Sequence, residues 1–342
     1  METPITASRD VADLMRRFLM GENNMNKMGR IFAAIFCVFV LAAAIGCGGG
    51  TPPEKKPEQA TAFATIVDDL GREVTLAKKP ERIVVTSASF LEPLHAVGGD
   101  VVGRPDSKTV PDWAKDKTSI GRVYNVDLEK LLACAPDLVI ANKGMNEKLL
   151  ESLEIDKIPT LVVDMKNYEE VKNEVRIFSQ VTGEKEKGEA LIKSMDEKIK
   201  AIVDRIPKEK KRVAILHSTA QGLSVQLETS IAGSTAKMLG FENVASGMTP
   251  LENNPDSAPY SIETLVAQNP EILFVTSMGK IEEVKRGMDN TISLNPAWQT
   301  IPAIKNGKMY YLSQEHFLLS PGIEYPAAVE EMAKQVYPDL FK

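Results

Sequence analysis

Two stretches of the chain share one pattern of hydrophobic and polar positions. VDLEKLLACAPDLVIAN begins at Val126, and YSIETLVAQNPEILFVT begins at Tyr260, 134 residues later. In each, a short polar residue, Asp127 or Ser261, precedes an apolar residue and a glutamate. Apolar positions then recur at helical spacing up to Pro136 or Pro270, after which come an acidic residue and an apolar run. Aspartate and serine cap helices because their side chains accept from the unpaired N–H groups of the first turn. Proline ends a helix because it lacks an N–H and clashes with the preceding turn. The runs 138–141 and 272–275 read as strands buried on both faces, the habit of parallel sheets.

A second pair repeats at an offset of 130: RIVVTS from Arg82 and RVAILHS from Arg212. Each is a short strand followed by an apolar helix and a turn, at Gly98-Gly99 or Gly240-Phe241. A third strand follows each unit, at 160–163 and 309–312. Two pairs in the same order at nearly the same offset predict a duplicated unit. The alternation of strands and helices predicts two Rossmann-like α/β lobes with mainly parallel sheets, spanning 63–167 and 207–342. Between them, 168–206 carries Val171, Val175 and Phe178, then Leu191, Met195, Ile199 and Ile202, with a break near Thr182-Gly183. That spacing predicts one long helical linker, a strut that limits opening between the lobes.

The N-terminal region follows other rules. Residues 31–45, IFAAIFCVFVLAAAI, are apolar throughout but shorter than the roughly twenty residues that span a bilayer. Lys27 and Arg30 stand ahead of the run, and Ala42, Ala43, Ala44 and Gly46 lead from it into Cys47. A charged start, an apolar centre and a small-residue exit predict an export signal over 25–46. Its end resembles the lipobox of bacterial lipoproteins, in which the cysteine is lipidated and becomes the first mature residue, although Ala44 stands where leucine is common. Residues 1–24 read as an upstream extension, since Met25 or Met28 makes an ordinary signal start. Residues 47–62, rich in Gly, Pro, Lys, Glu and Thr, read as a flexible tether. A lipid anchor and a tether hold a soluble body beside a membrane, which suits capture or delivery.

Composition narrows the chemistry. The net charge of −6 gives no basic excess for nucleic acid. Three cysteines and three histidines are too few for a disulfide framework or a histidine-rich zinc centre. With neither an acid–base cluster nor a cysteine set for iron–sulfur ligation in the pattern, the chain reads as no enzyme.

Ligands of α/β sheets bind beyond the C-terminal ends of strands. Two facing lobes therefore predict a cleft lined by residues 87–90, 121–125 and 142–144 of the first and 217–222, 276–279 and 314–318 of the second. His217 and His316 are candidate contacts there. Phe90, Trp113 and Tyr260 are candidate ring-stacking residues, and Arg104, Arg122 and Lys143 candidate partners of ligand carboxylates. His95 and Cys134 both lie in apolar helical runs; His95 reads as a packed or surface residue and Cys134 as a buried small residue.

The organisation resembles the bacterial substrate-binding lipoproteins of ABC importers for iron chelates, haem and cobalamin. The resemblance rests on VDDLGR from Val67 through KPERIV from Lys79, on both glutamate-centred repeats, on 233–244 with Leu239-Gly240 and Glu242-Asn243-Val244, and on 298–311 with PAIKNGK from Pro302. Together these cover about residues 65–341. The resemblance implies the class III periplasmic binding protein fold, two lobes on a helical backbone. It implies a monomer without a cofactor of its own, lipid-anchored outside the cytoplasmic membrane, that delivers its ligand to a permease dimer with a cytoplasmic ATPase. It also implies permease docking through one glutamate on each lobe, here Glu129 and Glu263. VGRPDSK from Val102 and SPGIEYP from Ser320 resemble the haem-binding branch of Gram-positive bacteria. That branch holds iron axially with a methionine and a histidine; the matching positions here are Tyr124 and Met278, so the usual pair is not kept. Tyr124 is then an iron ligand or a stacking, hydrogen-bonding residue, and Met278 a weak ligand or part of the pocket wall. Haem is the expected ligand, with a ferric siderophore or cobalamin as the alternatives.

Overall fold

The computed structural model of the chain describes residues 62–219, 222–278 and 280–342. The extension, the export signal, Cys47 and the tether up to residue 61 lie outside them. The first lobe opens with a hairpin, β1 (Ala64–Val67) and β2 (Glu73–Leu76). It continues with β3 (Ile83–Val85), α1 (Leu91–Ala96), β4 (Gly103–Arg104), β5 (Thr118–Ser119) and a second small hairpin, β6 (Gly121–Arg122) and β7 (Asn125–Val126). Then come α2 (Leu128–Ala133), β8 (Leu138–Asn142), α3 (Leu150–Ile155) and β9 (Thr160–Val163). Helices α4 (Tyr168–Thr182) and α5 (Lys185–Val203) lead to the second lobe. It comprises β10 (Arg212–Thr219), β11 (Gly222–Gln226), α6 (Ile231–Met238), β12 (Glu242–Asn243), β13 (Ser257–Pro259), α7 (Ile262–Gln268), β14 (Ile272–Ser277), α8 (Ile281–Leu294), α9 (Pro302–Lys305), β15 (Met309–Tyr311), α10 (Gln314–Phe317) and α11 (Tyr325–Val336).

The duplication is present in the sheets. Strands β3, β8 and β9 lie side by side in parallel, and β10, β14 and β15 repeat that order. Asp127 and Ser261 cap α2 and α7, accepting from the N–H groups of Lys130 and Thr264. Both helices end on a left-handed residue just before the proline, Ala135 at φ 45° and Asn269 at φ 51°. The lobes differ on the other side of the shared strands. In the first, β4 and β5 continue the parallel order. In the second, β11 turns straight back along β10 and pairs with β13, both antiparallel, so that sheet is mixed.

The helical linker is present, and at the break near Thr182-Gly183 it doubles back as an antiparallel pair. Gly183, at φ 75°, makes the left-handed turn that ends α4. The Arg176 guanidinium meets Glu189 at 2.8 Å, and the Tyr168 hydroxyl donates to Asp196 at 2.9 Å. Helix α4 packs on α1 and β1 of the first lobe, and α5 packs on α11 of the second. The Tyr168 and Tyr325 rings, 5.3 Å apart, tie α4 to α11 as well. Buried residues of both lobes and of α4, α5 and α11 form one continuous apolar cluster.

The helix α4 that contributes to that cluster also buries an acidic side chain. Glu174 of α4 is 0% exposed, and neither carboxyl oxygen has a hydrogen-bond partner among the described residues. Burial, followed by the like charges of Asp69, Asp164 and Glu170, pushes its pKa well above the ordinary 4.5. An acid whose folded pKa exceeds its unfolded one takes up a proton on folding. Stability therefore falls as pH rises from the unfolded value toward the folded one, by about 1.4 kcal/mol per pH unit within that window. Glu174→Gln should abolish this slope. Its thermal midpoint should exceed that of the parent by a margin that widens as pH rises from the ordinary carboxylate range toward neutrality. A constant margin across that range would show that Glu174 is ionised in the folded state.

Candidate functional site

Where the lobes meet, they line an open cavity of about 370 Å³. The first lobe lines it with the loops after β3, β8 and β9: Ser87, Ser89, Asn142, Lys143, Gly144, Met145, Asp164 and Lys166, with Val123 from the β6–β7 turn. The second lobe contributes Ile231, the 253–256 loop and Leu318 to Ser320. A narrower crevice of about 150 Å³ continues from it along His316, Glu92, Thr109 and Glu324. Both share Ser89, Leu319 and Ser320, so they form one groove.

Buried hydrogen bonds hold the first-lobe loops together. The Thr86 hydroxyl donates to Asn146 Oδ1 at 2.7 Å, and the Asn142 N–H donates to the same oxygen and to Thr86 Oγ1. On the second lobe, Glu331 of α11 accepts from the Ser313 N–H and hydroxyl and lies 2.7 Å from His316 Nδ1, which anchors α10 beside the crevice.

Charge crosses the cavity. Lys166 Nζ lies 3.7 Å from Asp164 and 3.4 Å from Asp256, and the second contact joins the lobes. Burial alone would lower the Lys166 pKa, but Asp164 and Asp256 outweigh it and raise it, so this lysine stays charged at neutral pH. Lys143 supplies a second ammonium on the same wall.

Of the candidate residues, Lys143 and His316 border the groove, whereas Tyr124 and Met278 are absent from the lining of both the cavity and the crevice. Tyr124 caps the β6–β7 turn, 60% exposed, and its hydroxyl accepts from Arg122 Nη1 at 2.5 Å. Met278 follows β14 at 72% exposure. Lys143 lines the cavity and His316 the crevice. Cys134 is buried and unpaired, as a packing residue would be.

Others are corrected by the structure. Phe90 touches the cavity floor, but it is 0% exposed and packs edge-on against Phe178 at 6.1 Å, so its ring belongs to the core and offers no face for stacking. His217 does not end its strand. It lies within β10, paired with Ser224 on one side and Thr276 on the other, its Nδ1 3.0 Å from Thr276 Oγ1. Burial lowers its pKa, so the imidazole is neutral at neutral pH, yet it is absent from the cavity lining. Arg104 is spent on the Ala114, Pro105 and Lys115 carbonyls and on Asp106. Trp113 stacks on His95, and Tyr260 on Trp298. Residues 164–166 directly follow β9, a strand the pattern marks, so the strand-end argument could have found them; residues 253–256 precede β13, which has no counterpart in the repeat, and carry no such signal.

A family model described as "Periplasmic binding protein" matches residues 83–316. The chain belongs to the periplasmic binding protein family. Among its relatives, the uncharacterized ABC transporter substrate-binding lipoprotein YvrC of Bacillus subtilis is 27% identical over 325 residues, covering 91% of this chain and 98% of that protein. The Fe(3+)-citrate-binding protein YfmC of the same organism is 26% identical, covering 89% and 96%. The crystal structure of an ABC transporter substrate-binding protein from Listeria monocytogenes superposes with a TM-score of 0.67 at 25% identity, covering 76% of this chain and all of that one. The two lobes on a helical backbone are the class III form of the periplasmic binding protein fold. Members of this family are non-catalytic transport proteins, so the chain is not an enzyme. Its place is outside the cytoplasm, lipid-anchored like the relatives named as lipoproteins.

Proposed function

We propose that this protein is the binding component of an ABC importer, capturing an iron complex between its lobes and handing it to a membrane permease driven by a cytoplasmic ATPase. The observation that carries the reading is the cleft lined from both lobes, with Val123 of the β6–β7 turn in its lining and the exposed Tyr124 next to Val123 in the chain. Haem is the ligand proposed first. A phenolate is a hard anionic donor matched to ferric iron, and Met278 offers a weaker thioether from the second lobe. Lys143, Lys166 and Arg122 supply cations for the propionates.

A second reading, a ferric siderophore or ferric carboxylate chelate, is favoured by the polar lining of Asn142, Asn253, Asn254, Ser87 and Ser89. The similarity to a Fe(3+)-citrate-binding protein agrees with it. Glu129 and Glu263, both exposed in the first turns of α2 and α7, are the proposed permease contacts.

Titration of the purified protein with haemin, ferric citrate, a ferric hydroxamate and cyanocobalamin separates the readings. Haemin should bind saturably with a tyrosinate absorption and spin-resonance signature. Tyr124→Phe should remove the signature and weaken binding about tenfold or more, while Met278→Ala changes it less. Saturable binding of ferric citrate, the hydroxamate or cobalamin without haemin binding would replace haem and leave the import function standing. Haemin binding with unchanged spectra in Tyr124→Phe would take the iron away from that phenol.

A further inference from the structure

The β6–β7 turn is fixed at its base and nearly free at its tip. At the base, Gly121 pairs with Val126 and Arg122 with Asn125. The Asp127 N–H donates to the Ile120 carbonyl, and the Asp106 N–H to the Gly121 carbonyl. At the tip stand Val123, which lines the cavity, and Tyr124, which is exposed. The Arg122–Tyr124 bond is internal to the turn. Among the described residues, the hydrogen bond that ties this tip to the body of the lobe runs from Asn146 Nδ2 to the Val123 carbonyl, at 2.7 Å.

Asn146 is 0% exposed and uses both ends of its amide on the cleft loops. Its Oδ1 accepts from the Thr86 hydroxyl, at the end of β3, and from the Asn142 N–H, at the end of β8. Its Nδ2 reaches the third segment, the turn. Leaving any of these buried groups unpaired is costly, so one side chain sets the relative positions of three loops that border the ligand. We propose that Asn146 is a positioning residue that fixes the Tyr124 turn against the cleft and so sets where the tyrosine meets the ligand. This rests on the reading of Tyr124 as a ligand contact.

The amide's two ends allow a selective test. Asn146→Asp keeps the acceptor for Thr86 and Asn142 but replaces the donor to Val123 with a carboxylate oxygen, which repels that carbonyl. Thr86→Val removes a bond on the other side and leaves the Val123 bond intact. Hydrogen–deuterium exchange of the ligand-free protein, followed on peptides covering 121–127, reads the turn directly, with peptides covering β8 as the internal standard for folding. In Asn146→Asp the turn should lose protection about tenfold while β8 holds; in Thr86→Val the turn should exchange as in the parent. Where the aspartate variant does not fold, Asn146→Leu, of similar shape and uncharged, takes its place. Haemin should then bind about tenfold more weakly to the position-146 variant, with a disturbed tyrosinate signature. Unchanged turn protection in a folded position-146 variant overturns the proposal, as does equal loosening in Thr86→Val. Loosening without any change in the affinity or spectrum of bound haemin overturns it too. A parent protein that binds no haemin refutes the haem reading instead, and the exchange result alone then decides whether Asn146 holds the turn.

Discussion

Reversing both Glu129 and Glu263 to lysine should reduce uptake of the ligand by roughly a hundredfold or more while leaving its binding to the purified protein unchanged. Both carboxylates are exposed and stand in the first turn of a capped helix, one on each lobe. The helix dipole favours an anion at that position. Hydrogen bonds from the backbone N–H of Glu263 itself and from Ser261 Oγ hold the Glu263 carboxyl below the usual carboxylate range, so it arrives at a partner already ionised. A permease surface that meets these positions with arginines buries two charge pairs on docking. Leaving one member of such a pair unpartnered costs about 2–5 kcal/mol, and each 1.4 kcal/mol is about tenfold in affinity. Lysine goes further, because it sets like charge against like. The measurement is uptake of labelled ligand into cells carrying the double variant, beside titration of the isolated protein. Normal uptake would exclude these two glutamates from the docking surface.

Replacing Gly233 with alanine should remove about 3 kcal/mol or more of stability. Gly233 lies in the first turn of α6, where its N–H donates to Oγ of the capping Ser230 and that hydroxyl donates in turn to the Leu227 carbonyl. The chain folds back so closely that a Cβ at Gly233 falls 1.9 Å from the Leu227 oxygen, 2.7 Å from the Leu227 carbonyl carbon and 2.8 Å from Glu228 Cα. All three obstacles are backbone, so no side chain can rotate away. The helix must shift or the cap must break. Domains of this kind have a total stability of roughly 5–15 kcal/mol, so the loss is a large share of it. Because Ile231 of the same turn lines the cavity, ligand affinity should fall with stability. Chemical denaturation of Gly233→Ala beside the parent checks this. A midpoint equal to the parent's would mean that the 227–230 turn relaxes freely. Gly287, on α8, provides the control: a Cβ there meets nothing within 4 Å, and its alanine variant should be neutral or slightly more stable.

The sequence was most informative where structure is local. The polar cap, apolar helix, proline and apolar strand around Asp127 and Ser261 are each decided within a few residues by capping, proline geometry and burial periodicity. They appear in the structure with the same caps and in equivalent strand positions. Repetition of the unit then implied two lobes, because a pattern written twice folds twice. The break at Gly183 was legible for a similar reason, since glycine readily adopts the left-handed turn that ends a helix. What the break does was not: whether two helices continue along one line or double back depends on which apolar faces find each other. Here Tyr168, Arg176 and their partners on α5 decide for an antiparallel pair.

The cleft shows the same division more sharply. Lys143 and His316 could be placed near it from strand ends alone, and both border the groove. His217 could not be placed correctly, because β11 extends the pairing along β10 and turns an apparent strand end into a strand interior. Phe90 could not be told from a stacking residue, because one loop position separates a ring that faces ligand from one that meets Phe178. Asn146 and the Lys166–Asp256 contact join residues 23 to 90 positions apart in the chain. By itself the sequence determined the duplicated α/β lobes and their caps, since these follow from short-range periodicity and its repetition, while the family was legible only through the resemblance of particular stretches to known proteins. Only the tertiary structure decided the shape and charge of the cleft and which side chains hold its loops, because those depend on distances between segments that no local pattern encodes.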